Sequence, residues 1–325
     1  MLFKTNSHDG GPGEALADKH SAKGLPHFIL MDSTGAPLDR WRGFSDPARW
    51  LRTFDQAFAD PTTVDAKRER FRTGPTEALA AALGRIQSSL GEAKESVAFY
   101  REAEKLAGRP VPDYSLAMLF QQARGMGDDG FTLEEVRASA DAVMGSPDAA
   151  PVDKLLAADV MSDVAKEKKD PSLMTPYLQP ALAASEGLAD AKAKQLRGEL
   201  AIAEALLIRG DKNLAVSLKR EAMSAGWDGD AGKLNDFAWW CFENEVNLEE
   251  AERLARKGTE LAKPGPEKAE ILDTLAEIRN LRGDREEARA LSELAAKEDP
   301  GSEHYPKQVE RFSEPSSDSK PHAGA

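Results

Sequence analysis

A pattern of small residues around tight turns recurs along this chain and limits its fold more than any other feature. In the copy nearest the C-terminus, Leu275 and Ala276 precede a turn at Gly283, and Ala288 and Ala295 follow it. Small side chains at such positions let two antiparallel helices cross with their backbones close together, and glycine accepts the positive φ that a tight turn needs. The pattern therefore predicts helical hairpins.

The same arrangement recurs, less regularly, around three other turns. The corresponding positions are Leu83, Gly84, Ser96 and Ala103 around Gly91, then Ile202, Ala203, Ala215 and Ala222 around Gly210, and finally Ala238, Trp239, Ala251 and Gly258 around Val246. Helical periodicity alone predicts two more hairpins, Tyr114–Gly125 with Leu133–Gly145 and Val152–Lys166 with Leu173–Ala184. Together the units predict a mainly α fold, an α-solenoid over residues 76–312.

These repeats resemble the tetratricopeptide repeat family. The clearest copies are residues 269–300, which end in Lys-Glu-Asp-Pro, and residues 76–108, which contain the stretch LGRIQSSLGEAKESVAFYREAEKL. The resemblance implies a concave groove that binds a protein or an extended peptide. The basic and asparagine positions with which some members of the family hold a peptide carboxylate are not matched here.

Trp239 and Trp240 are the candidate residues for such a peptide groove. They are adjacent on one predicted helix, so their side chains point in different directions. We expect one of them to lie in the core and the other to reach the groove, because exposed tryptophans often dominate the binding energy of an interface.

Residues 1–60 lack the repeat pattern and predict a small α/β segment. Turn residues separate its short apolar runs, and Asp46 followed by Pro47 is typical of the start of a helix. The predicted order is a strand at Leu2–Thr5, a helix at Pro12–His20, strands at His27–Met31 and Leu38–Phe44, and a helix whose apolar face contains Trp50, Leu51, Phe54 and Phe58.

This segment resembles the C-terminal half of a thioredoxin-like domain. The resemblance is carried by Gly24-Leu25-Pro26-His27 at the start of a strand, with Asp32, Gly35 and Gly43 after it. It implies that Pro26 is a cis proline and that Leu25 and Pro26 help bind a substrate. The Cys-x-x-Cys pair of that family would lie upstream of residue 1. We expect Cys241, the chain's one cysteine, to be a buried inert thiol in an apolar helix.

Two functions are therefore open. The first is a protein–protein interaction scaffold with a non-catalytic, incomplete thioredoxin-like segment. The alternative is an N-terminally truncated thiol–disulfide oxidoreductase of the thioredoxin family with C-terminal repeats, which an upstream Cys-x-x-Cys would favour. Because half of the thioredoxin-like sheet is missing, we expect residues 1–60 to be the least stable part of the chain and the solenoid to survive their loss.

Charge and composition narrow the class of partner. The formal net charge is −13, and an acidic surface repels phosphate backbones, so we expect no nucleic acid partner. The basic run Lys67–Arg72 is predicted to be a solvated helix face. No apolar run is long enough for a membrane span, and no cysteine or histidine spacing is typical of a metal site, so we expect no metal and no cofactor.

The predicted organisation has four parts: a partial thioredoxin-like segment at 1–60, a linker at 61–75, the helical repeats at 76–312, and a tail at 313–325. We expect the tail to be disordered because it has no apolar residue to anchor it. As the chain is written we expect it to be cytoplasmic, or periplasmic or envelope-associated if an upstream signal is missing.

Overall fold

The computed structural model describes residues 11–22, 26–43 and 47–314. The chain divides into two compact units, Met1–Leu200 and Ala201–Ala325, which are described in turn. Several predicted features lie outside the described residues, namely the strand at Leu2–Thr5, the residues Leu25 and Asp46, and nearly all of the tail.

Unit 1 begins with two helices and a β-hairpin. Their bounds are α1 (Pro12–Lys19), β1 (His27–Met31), β2 (Pro37–Arg42) and α2 (Pro47–Ala59). β1 and β2 pair antiparallel with Phe28 opposite Trp41, as the alternating apolar pattern predicts. The Asp32 side chain closes the turn, because one of its oxygens accepts hydrogen bonds from the backbone N–H groups of Thr34 and Ala36.

A third helix, α3 (Val64–Thr73), lies in the stretch predicted as a linker. The Thr63 hydroxyl accepts a hydrogen bond from the Ala66 N–H at the start of this helix. Phe71 packs edge-on against Phe99, with 5.4 Å between the ring centroids. The sequence predicts a helical face at Lys67–Arg72, but it does not predict the contacts with residues far away in the sequence that hold α3.

Three helical hairpins follow in unit 1, as the sequence predicts. They are α4 (Glu77–Leu90) with α5 (Ala93–Ala107), α6 (Pro112–Arg124) with α7 (Leu133–Gly145), and α8 (Pro151–Lys168) with α9 (Thr175–Ala184). The next helix, α10 (Ala191–Ala203), contains the boundary between the two units. We call α4, α6 and α8 the first helices of their hairpins.

Gly84 shows why the α4–α5 crossing needs a small residue. A Cβ atom at this position would lie 3.1 Å from ring atoms of Tyr100. The Ser96 hydroxyl donates a hydrogen bond of 2.9 Å to the Gly84 carbonyl, and Ala103 is fully buried. Gly91 ends α4 with a φ of 82°. The small-residue pattern is confirmed in this hairpin.

The α6–α7 hairpin also packs through buried polar side chains. The Ser139 hydroxyl of α7 donates to the Gln122 side-chain oxygen of α6 at 2.7 Å, and both residues are buried. The neighbouring Gln121 side chain donates to the Ser88 hydroxyl of α4 at 2.8 Å. These hydrogen bonds satisfy polar groups that the packing of α6 buries.

Unit 2 continues with helices of the same kind. A π-helical turn at Glu204–Ile208 is followed by α11 (Lys212–Ala222), α12 (Ala231–Glu243), α13 (Leu248–Leu261), α14 (Pro266–Leu281), α15 (Arg285–Glu298) and α16 (His304–Ser313). The predicted crossings are confirmed, since the core has fully buried alanines at positions 238, 251, 276, 288 and 295. We call α12 and α14 the first helices of the α12–α13 and α14–α15 hairpins.

Two turns of unit 2 depart from the predicted pattern. Ala222 is exposed rather than packed at a crossing, because α11 ends at this residue. In the turn around Val246 the positive φ angles belong to Glu245 and Asn247, at 50° and 49°. Asparagine tolerates this conformation better than most residues, which explains how the hairpin closes without a glycine.

Candidate functional site

The two adjacent tryptophans of α12 point in different directions. Trp240 is half-buried, packs against the core beside Phe237, and has the Lys219 Nζ 5.7 Å from its ring centroid. Trp239 is 37% exposed, and its ring centroid is 5.0 Å from that of Phe242. Trp239 is therefore the member of the pair that is available to a ligand.

Acidic side chains surround the exposed tryptophan. Asp236 and Glu243 are both exposed, and their spacing from Trp239 places all three on one side of α12. We call Asp236, Trp239, Phe242 and Glu243 the α12 surface. It joins two aromatic rings to two carboxylates, a combination that suits a segment with an apolar side chain next to a basic one.

The carboxylates of the next first helix, α14, are already engaged by α16. The His304 Nε2 lies 2.9 Å from an oxygen of Asp273, and the Gln308 side chain donates to Glu277 at 2.9 Å. Arg311 forms an ion pair with the same Glu277. The last helix thus covers the side of α14 that contains these carboxylates, whereas the α12 surface stays open to solvent.

The residues that resemble the thioredoxin substrate site are only partly described. Leu25 lies outside the described residues. Pro26 is exposed, and its carbonyl accepts a hydrogen bond of 2.8 Å from the Gly43 N–H next to the β-hairpin. That carbonyl is therefore used within the hairpin. A substrate-binding role for Leu25 and Pro26 stays a prediction.

A buried ion pair joins the β-hairpin to the first helical hairpin. Asp39 of β2 is fully buried, and Arg85 of α4 donates to its two oxygens at 3.2 Å and 2.7 Å. Two parallel hydrogen bonds of this kind fix the orientation of both partners. Neither residue stands out in the sequence, because a single Asp in a strand and a single Arg in a helix are ordinary surface patterns.

Lys67 of α3 also stabilises the contact between the β-hairpin and the helices of unit 1. Its side chain is fully buried, and its ammonium donates to the carbonyls of Leu38, Asp60 and Thr62 at 3.0, 2.7 and 2.7 Å. The prediction of a solvated basic run is wrong at this position. A charge run is usually solvated, but here the three carbonyls accept all three ammonium protons and make burial possible.

Helix α2 lies against the first helices of unit 1. Arg49 forms ion pairs with Asp113 of α6 and with Asp153 of α8, the latter a buried residue. Gln56 accepts a hydrogen bond from Arg85 of α4 at 3.4 Å. The N-terminal segment therefore occupies the side of unit 1 to which α4, α6 and α8 all contribute.

A group of carboxylates with unusual electrostatics lies between α8 and α10. Burial, together with the nearby carboxylates of Glu199 and Asp163, raises the pKa of Asp159 to about 7. Burial also raises the pKa of Asp163. Among the described residues, no group of three or more histidine, cysteine, aspartate or glutamate side chains has an arrangement that could hold a metal ion. We therefore infer that this group of carboxylates lowers the stability of the folded chain when it is ionised.

The thiol of Cys241 has the opposite properties from those of a redox nucleophile. It is fully buried in α12, and burial raises its pKa to about 12. At neutral pH the thiol is protonated and out of reach. Within the described part of the chain, every helix falls short of the length and apolar content that a membrane span requires.

Comparison with known proteins bears on the fold. No protein-family model and no curated protein sequence matches the chain. Among solved structures it is similar to a tetratricopeptide repeat protein from Parabacteroides merdae ATCC 43184, with a TM-score of 0.50 and 14% identity over 82% of this chain and 95% of that one. The chain has a tetratricopeptide-like helical repeat fold.

A second solved structure is similar over a shorter part of its own length. The tetratricopeptide-like chain aligns with the APC/C hetero-tetramer Cut9–Hcn1 at a TM-score of 0.43 and 12% identity, over 76% of this chain and 45% of that one.

Proposed function

We propose that this protein is a protein–protein interaction scaffold and that the α12 surface binds an extended segment of a partner protein. The observation that carries the proposal is the exposed Trp239 on a first helix, in ring contact with Phe242 and flanked by two carboxylates. An aromatic residue held at a solvent-accessible surface is a typical anchor of a protein interface.

The charge of the α12 surface indicates the chemistry of the bound segment. Asp236 and Glu243 are exposed and lie on the same side of the helix as Trp239. In a protein of net charge −13, a basic segment is attracted over a distance as well as in contact. The ligand that fits best is therefore an apolar side chain next to lysine or arginine.

We also propose that the N-terminal segment is a non-catalytic partial thioredoxin-like unit. The support is the order of β1, β2 and α2 after α1, with Pro26 directly before β1. The alternative function, a thiol–disulfide oxidoreductase, finds no support in Cys241, because the pKa of its buried thiol is raised to about 12.

A phage-displayed library of random linear peptides, selected on the immobilised full chain, tests the scaffold proposal. We expect enrichment of peptides with an aromatic or aliphatic residue beside lysine or arginine. The affinity of a synthetic enriched peptide should fall about tenfold or more in Trp239→Ala, as measured by titration calorimetry. It should also fall with added salt.

Leu294→Ala is the matched control, because Leu294 is an exposed apolar residue of α15 away from the α12 surface. We expect it to leave the affinity unchanged. A selection without enrichment, or peptides that bind equally well to Trp239→Ala, would count against the α12 surface as the binding site.

A further inference from the structure

Helix α2 contacts the rest of unit 1 through one face. That face contains Arg49, which is paired with Asp113 and Asp153, and the fully buried Ala57. Gln56, bonded to Arg85, lies on the same side. The helical spacing of these residues places the opposite face of α2 towards solvent.

The opposite face is apolar and exposed. Phe58 is 65% exposed and Leu51 is 53% exposed, and within the described residues no other large apolar side chains are as exposed as these two. They lie two turns apart on one side of the helix. Phe58 also ends a ladder of stacked rings, 6.0 Å from Phe54, which in turn is 5.5 Å from Trp50. The ring is therefore held in place rather than free.

Two opposite charges flank these apolar residues. Arg52 and Asp55 are both exposed and lie on the same flank of the α2 face. Among the described residues, neither side chain forms an ion pair or hydrogen bond with another part of the chain. The face thus has an apolar side with Leu51 and Phe58, and a charged side with one residue of each sign.

We propose that this face forms a homodimer, with α2 packed antiparallel against α2 of a second copy about a twofold axis. Such an axis brings each flank of the helix against the same flank of its copy. Leu51 then packs against Phe58 of the second copy, and Arg52 meets Asp55. A face whose charges are complementary to themselves about a twofold axis favours a second copy over a different partner.

The interface is small. A single pair of helices of this length buries less surface than the roughly 1,200 Å² of standard stable complexes, so the dimer is weak and depends on concentration. Phe58 and Leu51 are solvated in the monomer, and the dimer removes both from water, which supplies the driving force.

Sedimentation velocity of the full chain over about a hundredfold range of concentration tests the proposal. We expect a reversible shift from monomer to dimer. Phe58→Asp should weaken the dimer by at least tenfold, because it buries a charge against an apolar side chain. Leu106→Asp is the control, since Leu106 is an exposed residue of α5 (39%) and should leave the association unchanged.

A charge exchange separates self-association from other uses of this face. Arg52→Asp alone and Asp55→Arg alone each set like charges opposite one another and should weaken the dimer severalfold. The double variant Arg52→Asp/Asp55→Arg should restore it, because the twofold axis pairs the exchanged residues again.

A chain that stays monomeric over the whole range would overturn the proposal. So would a dimer that is insensitive to Phe58→Asp, or a double variant that associates no better than the single ones. Arg52, Asp55 and Phe58 are all exposed, so the variants are expected to fold. Circular dichroism of each variant provides the check.

Discussion

Lys67 combines a full positive charge with complete burial. Burial lowers the pKa of its ammonium, and the nearby carboxylates of Asp60 and Asp39 oppose that effect. Three carbonyl acceptors replace the water that the ammonium loses, and a carboxylate oxygen of Asp60 lies 3.8 Å away, so the buried charge is tolerated. The Lys67 side chain thereby links α3, to which it belongs, with β2 and with the residues that follow α2.

Replacing this lysine should destabilise the chain. We expect Lys67→Met to lower the free energy of unfolding by about 2–4 kcal/mol, because three buried carbonyls lose their donor while the apolar stem is largely kept. Urea denaturation followed by circular dichroism measures the change. Lys105→Met removes an exposed lysine paired only with Glu102 in its own helix, and it should cost less than about 0.5 kcal/mol.

Asp159 makes stability depend on pH. Its pKa is about 7 in the folded chain, above the value of about 3.9 of an unperturbed aspartate. The folded state therefore binds this proton more tightly than the unfolded state. The associated stability is fully present below about pH 4 and is lost as the pH rises through about 7.

Asp159→Asn should remove this dependence. We expect the variant to melt about 2–4 °C higher than the original chain at pH 8, and to differ little from it at pH 4.5, where the aspartate is already protonated in the folded state. Scanning calorimetry at the two pH values provides the measurement. Asp128→Asn, at an exposed position outside the helices, should change the melting temperature at neither pH. If Asp159→Asn raised the melting temperature equally at both pH values, the raised pKa of Asp159 would be contradicted.

At the scale of helices, close crossings depend on residues without long side chains. Ala288 of α15 is fully buried against α14, in the same core cluster as Leu275 and Ala276. A larger side chain there has no space without a shift of one helix. Such overpacking is a recognised cost in cores that are filled to native density.

We expect Ala288→Leu to lower the free energy of unfolding by about 1–3 kcal/mol. Arg289→Leu, at the next and exposed position of α15, adds a leucine without a crossing and should have an effect within about 0.5 kcal/mol. Chemical denaturation of the two variants gives the comparison. Equal effects would mean that Ala288 does not mark the crossing.

Local patterns explain which helices could be predicted from the sequence. The α4–α5 and α14–α15 hairpins follow from small residues and a positive-φ glycine within one stretch of chain. The Lys67–Arg72 run is predicted to be helical, but the packing of α3 could not be predicted in this way. The run lacks an apolar stripe, and α3 is held by Leu38 and Phe99, which lie elsewhere in the sequence.

Local patterns also predict only part of the candidate site. Adjacent tryptophans must point apart on a helix, but which one is exposed depends on where α11 and the preceding turn pack, and no local pattern contains that information. The contact of Arg49 with Asp153 joins residues 104 positions apart. Such a pair is an ordinary surface arginine and aspartate until the chain is folded.

At the scale of the molecule, the N-terminal segment is a structural part of unit 1. From the sequence alone, residues 1–60 are expected to be dispensable for the helical repeats. Two sets of contacts argue against this expectation: the buried pair of Asp39 with Arg85, and the carbonyls that Leu38 and Asp60 offer to Lys67. Removing the segment leaves Arg85 without Asp39, and it leaves Lys67 with one of its three carbonyl acceptors, that of Thr62.

A chain that begins at Pro61 should therefore lose stability in unit 1. We expect faster hydrogen exchange for the amides of α4, while the amides of α14 in unit 2 keep their protection. Mass spectrometry of both chains measures the two helices in one experiment. Unchanged hydrogen exchange in α4 would show that the N-terminal segment does not stabilise unit 1, as the sequence alone suggests.

The buried glutamines of the α6–α7 hairpin have a consequence for modularity. Gln121 of α6 bonds to Ser88 of the preceding hairpin, and Gln122 bonds to Ser139 of α7. In a regular array, one repeat can be deleted, duplicated or exchanged because all neighbours offer the same surface. Here Gln121 of the α6–α7 hairpin bonds to Ser88 of its neighbour, whereas the Gln122–Ser139 bond lies within the hairpin. A neighbour without a polar group at the position of Ser88 would leave the buried Gln121 amide without this partner, so this contact favours the present order of the two hairpins.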